Sequence, residues 1–135
     1  VGGLTETGVI KQVAAVIIER TAGHPVMMML ILLWASALLS SFLNNIPFIA
    51  TLIPLVLALK AEGMDVELLW WALSLGACLG GNGTLIGASA NVVLSDISTK
   101  HGYPITFKSY LRFGMPFMLG SVFISMVFLL VKYAI

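Results

Sequence analysis

Charge is what this chain lacks most. Only 10% of its 135 residues are Asp, Glu, Lys or Arg, against about a quarter in soluble domains. So small a stock cannot coat a water-soluble fold, and the chain reads as an integral membrane protein. The net charge is +1, and no basic stripe offers a footprint for nucleic acid. Cysteine is equally scarce. Cys78 stands alone, so no intrachain disulfide forms and nothing follows about redox compartment. His24 and His101 fall in separate loops with no Cys or carboxylate at ligand spacing, so no metal site is expected. A local Ser/His/Asp signature is missing too, and the expectation is no catalytic residue, no enzyme activity and no organic cofactor. Residues 1–6 lack the basic stretch and apolar core of a signal peptide. The chain opens on Val1 rather than Met, and a piece of a longer protein is expected.

Apolar sequence is what remains. Hydrophobic residues make up 59% and the mean hydropathy is +1.04. Residues 4–20 carry Val9, Ile10, Val13, Ala14, Ile17 and Ile18 at helical spacing among charges. This is an amphipathic or marginal helix, better suited to an interface than to crossing. Pro25 bars its continuation. Residues 26–43 could just cross a hydrocarbon core of about 30 Å. Asn44-Asn45-Ile46-Pro47 then interrupts the run, and 48–59 is too short to cross. Asn45 suits an N-cap and Pro47 a first helical turn. Residues 26–59 therefore read as a re-entrant helical hairpin with Ser40, Ser41, Asn44 and Asn45 at its tip, two spans joined by a tight turn being the alternative.

After a charged loop at 60–67, residues 68–94 form an apolar run broken by Gly80-Gly81-Asn82-Gly83-Thr84 and by Gly87. Each glycine costs about 1 kcal/mol in a helix interior. Irregular backbone survives at membrane depth only where protein or a cavity satisfies it, and transporters build sites from such broken helices. The spacing differs from a dinucleotide loop and follows no strand, and no Lys-Ser/Thr completes a Walker loop. Gly76-x-x-x-Gly80 and Gly83-x-x-x-Gly87 also fit helix packing, but Asn82, Thr84, Ser89 and Asn91 exceed what packing needs. No Asp, Glu, Lys or Arg lies inside the apolar runs, so no proton relay stands out. The last transmembrane helix is expected over 113–134. Loop 95–112, with Lys100, Lys108 and Arg112, is the better cytoplasmic candidate, leaving the C-terminus on the opposite side.

The candidate substrate- or ion-binding residues are Ser41, Asn44, Asn45, Gly81, Asn82, Gly83, Thr84, Gly87, Ser89 and Asn91. Asn45 and Asn82 in particular are expected to share one site near mid-depth. A secondary transporter for a small ion or organic anion is the leading reading. A channel-like permeation module and a structural membrane domain with packing glycines only are the alternatives.

The stretches Ser36-Ala-Leu-Leu-Ser-Ser-Phe-Leu-Asn-Asn-Ile-Pro-Phe-Ile-Ala and Gly76-Ala-Cys-Leu-Gly-Gly-Asn-Gly-Thr-Leu-Ile-Gly-Ala-Ser-Ala-Asn-Val-Val resemble the ion transporter superfamily of arsenite efflux permeases, citrate transporters and dicarboxylate/sodium symporters. The resemblance implies an all-α integral membrane fold, of which this chain is the transport part of the second inverted repeat. It places Asn44 and Asn45 at the outer hairpin tip, where the symporters carry Ser-Asn-Thr. Ala88-Ser89-Ala90-Asn91 lies where they carry Thr-Pro-Pro-Asn, keeping the Asn and losing both prolines. That departure favours the arsenite-permease and P-protein branch over dicarboxylate carriers. The partners implied are membrane lipid, the missing N-terminal repeat, a small ion or organic anion, coupling Na⁺ or H⁺ at the same residues, and a homodimer mate.

Overall fold

The computed structural model describes residue 19 and residues 24–61 and 63–135. The marginal helix expected over 4–20 lies outside the described residues. Five helices follow: α1 (Pro25–Ser40), α2 (Asn45–Ala61), α3 (Glu67–Gly80), α4 (Ser89–Lys100) and α5 (Phe107–Ala134). The described residues contain no strand, so the fold is all-α.

Local chemistry sets the ends. Pro25 occupies the first turn of α1, where its missing N–H costs nothing. Thr106 caps α5 by accepting from Ser109 N–H. Helices α2 and α4 both stop on a glycine in the left-handed region, Gly63 (φ 85°) and Gly102 (φ 87°). Behind each, two N–H groups turn back onto the last carbonyls: Gly63 to Lys60 and Met64 to Leu59, then Gly102 to Thr99 and Tyr103 to Ser98. That closure requires a residue free of the Cβ penalty at positive φ.

Parallel packing of α1 on α3 organises the bundle. A Cβ added at Gly76 would fall 2.0 Å from Ser36 Oγ and 2.5 Å from Leu33 O; one at Gly80 would fall 2.3 Å from Ala37 O. Lipid tails are as apolar as Leu, so helix association in a bilayer rests on such close contact rather than on hydrophobic transfer. Met29, Leu33, Ala37, Leu69, Ala72, Leu73 and Ala77 fill the interface. Helix α5 covers it with Met118, Val122 and Leu129, and Trp34 Nε1 donates to Met126 Sδ at 3.5 Å. At the far end of α5, Lys132 lies 3.5 Å from Glu67 and over the Trp71 ring. The C-terminal end of α5 therefore sits beside the start of α3, with the 101–106 turn at the other end.

Only α5, among the described residues, is long and apolar enough to cross a membrane by itself. Its outer face leaves Phe113 72% and Ile124 70% exposed, and Ile46 at the hairpin tip is 80% exposed. Large apolar groups left bare in this number fit lipid or further protein rather than water.

Four helix ends differ from those expected. Helix α2 begins at Asn45 and runs to Ala61, giving arms of 16 and 17 residues; the difference in arm length read from the sequence disappears. Its first intrahelical bond goes from Phe48 N–H to Asn44 O, which moves the cap position from Asn45 to Asn44. Helix α4 extends to Lys100 and α5 starts at Phe107, because charged residues at a helix end break apolar patterning without breaking the helix.

Candidate functional site

The hairpin tip lies directly on the broken helix. Residues 81–88 carry no helix; Thr84 ties this gap to the tip, Ser40 and Ser41 tie the tip to the last carbonyls of α3, and Asn91 ties the gap to itself. Ser40 Oγ shares its single proton between Ala77 O, at 2.7 Å, and Asn45 Oδ1. Ser41 Oγ does the same between Ala37 O and Gly80 O, both at 2.9 Å. Thr84 Oγ1 donates to Ser41 O. Asn91 Nδ2 reaches back from the first turn of α4 to Gly81 O at 2.9 Å and Thr84 O at 3.2 Å. Ser40, Ser41 and Thr84 are all buried. Among the described residues no buried side-chain N or O lacks a partner. In a low-dielectric interior this completeness matters, since each unpaired group costs about 1–3 kcal/mol.

The glycines make the crossing close enough for those bonds. A Cβ on Gly83 would lie 2.6 Å from Ser41 Oγ, and one on Gly87 would lie 2.7 Å from Gly81 O and 2.8 Å from Ser41 O. A Cβ on Gly81 would lie 3.0 Å from Asn45 Nδ2 and 3.3 Å from Gly87 O. The start of α2 and the segment leading into α4 thus come together beside one residue. Helix N-termini carry partial positive charge and free N–H groups. No side chain caps α4 at Ala88. The rim is accessible: Asn44 and Ser89 are exposed, and Asn45 and Asn91 half-buried.

Not every expected residue joins this crossing. Asn82 instead lines a separate groove of about 640 Å³ with Ile105, Ser109, Tyr110, Phe113, Gly114 and Phe117. Its backbone carbonyl packs where a Cβ on Gly114 would be, 2.7 Å away. The asparagine beside Asn45 at Gly81 is therefore Asn91, from the far side of the break. Contact with Gly114 also fixes the level of the break along α5. It lies about 10 Å of helix from Phe107 and about 27 Å from Lys132, nearer the 101–106 turn than the middle. Ser40 and Gly114 were absent from the candidate set. The Ser40–Ser41 doublet signalled the first, while Gly114, at the start of the last apolar run, carried no signal of its own.

A helical hairpin clasping an interrupted helix, beside one long apolar helix, defines a membrane transport domain. A sequence model of the citrate transporter family matches residues 1–134, and the chain belongs to that family, within the ion transporter superfamily its motifs implied. It is similar to the P protein of Homo sapiens, 48% identical over 108 residues, covering 78% of this chain and 13% of that protein. The 46 kDa membrane protein of Mycobacterium leprae is 39% identical over 138 residues, covering 100% of this chain and 32% of that one. An uncharacterized transporter of Mycobacterium tuberculosis is 38% identical over 136 residues, covering 98% and 32%. The chain thus spans about a third or less of the curated relatives it matches. No solved structure gives a significant match.

Proposed function

We propose that this chain supplies one transport half of a secondary carrier for a small ion or organic anion, with the tip–break crossing as its binding site. One observation carries the reading: Asn45 at the start of α2 and the Gly87 carbonyl just before α4 meet beside Gly81, with Asn44, Asn45 and Ser89 accessible nearby in the chain. Two positive helix ends and amide donors around an unwound segment suit a negatively charged or strongly polar solute. The buried hydroxyls behind the rim hold the crossing together and leave the rim to meet the solute. The hairpin is re-entrant, the 101–106 turn faces the cytoplasm, and the C-terminal end of α5 lies on the other side. A site of this kind forms between repeats, so residues 1–135 alone neither bind nor move solute, and the remainder of the carrier completes it. Counterflow in proteoliposomes of the full-length protein tests this. Saturable exchange is expected, whereas unsaturating, field-driven flux would mark a channel.

The packing-only reading has an observation of its own, since Gly76 and Gly80 touch α1 backbone. Those two glycines lie on the helical side of the break. Asn45 separates the readings: Asn45→Ala removes exchange if the rim binds solute and leaves it intact if the break only packs.

A further inference from the structure

We propose that the space between the two arms of the hairpin binds one phospholipid, with an acyl chain between α1 and α2 and a zwitterionic headgroup at their base. The inference needs only that the chain lies in a bilayer and not that the crossing binds solute. The two arms stand apart along their length, whereas α1 lies closely on α3. Between the arms runs a cavity of about 170 Å³. Ile31, Ala35 and Leu39 line it from α1 at helical spacing, and all three are exposed. Phe48, Leu52 and Leu59 line it from α2, along about 16 Å of helix. Ala35 sits mid-stripe and is too short to fill the gap. The one polar residue of the lining, Ser36, spends its hydroxyl on Leu33 O at 3.0 Å. Nothing in this lining is left to hold a polar group. A gap here forfeits dispersion contacts on both arms, and hydrocarbon restores them.

The base of the hairpin favours a lipid over an apolar stretch of protein. Leu59 belongs to the apolar cavity, and the next residue, Lys60, lines a second cavity of about 310 Å³ with Met64, Asp65, Glu67 and Trp70. Met64 N–H turns back to Leu59 O at 3.3 Å, so one turn carries both linings. An exposed ammonium, two exposed carboxylates and a half-buried indole stand together there. That set complements a headgroup with a phosphate and an amine: Lys60 for the phosphate, Asp65 and the Trp70 ring for the ammonium. Glu67 is shared with Lys132, 3.5 Å away. Charged residues beside tryptophans also mark headgroup depth. A fluid acyl chain fills the gap without fixing α2.

Photolabelling of the full-length protein tests this, using phosphatidylethanolamine with a diazirine on one acyl chain and mass spectrometry to find the adducts. On exchange from membranes into detergent, Ala35 and Leu52 should keep their adducts. The exposed Leu38 and Leu57, outside the cavity, should lose theirs. Ala35→Phe fills the gap and should remove the adduct at Leu52; if that variant does not accumulate, the wild-type pattern decides alone. Retention should fall about two- to fivefold in Lys60→Ala. Unlabelled phosphatidylethanolamine should also displace the probe better than phosphatidylglycerol, which has no amine. Ala35 and Leu52 unlabelled in both media would mean that protein covers the gap. Adducts lost there together with those at Leu38 and Leu57 would mean bulk lipid only. Either result overturns the proposal, and retention indifferent to Lys60→Ala and to the competing headgroup overturns the headgroup assignment.

Discussion

The two arms of the hairpin are nearly equal in length and are held in different ways. Helix α1 lies backbone to backbone on α3 at Gly76 and Gly80, under the cover of α5. Helix α2 faces α1 across an apolar cavity of about 170 Å³ lined by Ile31, Leu32, Ala35, Leu39, Phe48 and Leu52 among others. Its second half joins the core through Leu55, Val56 and Leu59, and its first turn is held by Asn45 against Ser40 and Gly81. The tip is thus divided. Ser40 and Ser41 belong to the fixed arm and lock the break, whereas Asn45 belongs to the arm with space beside it. In such an arrangement Asn45 can adjust without unpacking the bundle that positions it.

Substitutions that attack the fixed arm should cost most. At Gly80 a Cβ meets Ala37 O at 2.3 Å and Ala37 Cα at 2.7 Å, backbone atoms that cannot rotate away. Gly80→Val should lower stability by about 3 kcal/mol or more, seen as lost expression and melting of the full-length protein. Next comes the lock itself. Thr84→Val keeps the shape but strands the buried Ser41 carbonyl, and should cost about 1–3 kcal/mol with melting as the readout. The smallest effect belongs to the other arm. Ala35→Leu points extra carbon at the cavity and should change stability by less than about 1 kcal/mol in either direction. If Ala35→Leu proves as damaging as Gly80→Val, the arms are equally constrained and the contrast between them fails.

Much of this arrangement was legible in the sequence, because glycine and asparagine in apolar runs mark where a helix gives way. Asn44-Asn45 gave the tip and Gly80–Thr84 the start of the break. Gly76-x-x-x-Gly80 read correctly as a packing motif too, the two readings dividing at Gly80 rather than competing. What stayed hidden depended on the eight non-helical residues 81–88. Helical periodicity cannot say which way Asn82 turns once the helix has ended, so its place in the Tyr110 groove had no sequence signal. Asn91 returns to Gly81 only because Thr84–Gly87 doubles back, with Gly87 N–H on Thr84 O. Lengths were misjudged for a related reason. Lys60, Ala61, Lys108 and Arg112 are good helix formers that end an apolar run without ending the helix.

Asn45→Asp tests the central claim most directly, that solute is held between the starts of α2 and α4. An acidic residue in the first turn suits the helix dipole and still accepts from Ser40, so the fold should melt at the wild-type temperature or slightly above. The same charge repels an anion at that place. Uptake of the transported anion by full-length Asn45→Asp in proteoliposomes should therefore fall at least about tenfold, the equivalent of roughly 1.4 kcal/mol of lost binding, with melting unchanged. Wild-type uptake by a stably folded Asn45→Asp would contradict the account.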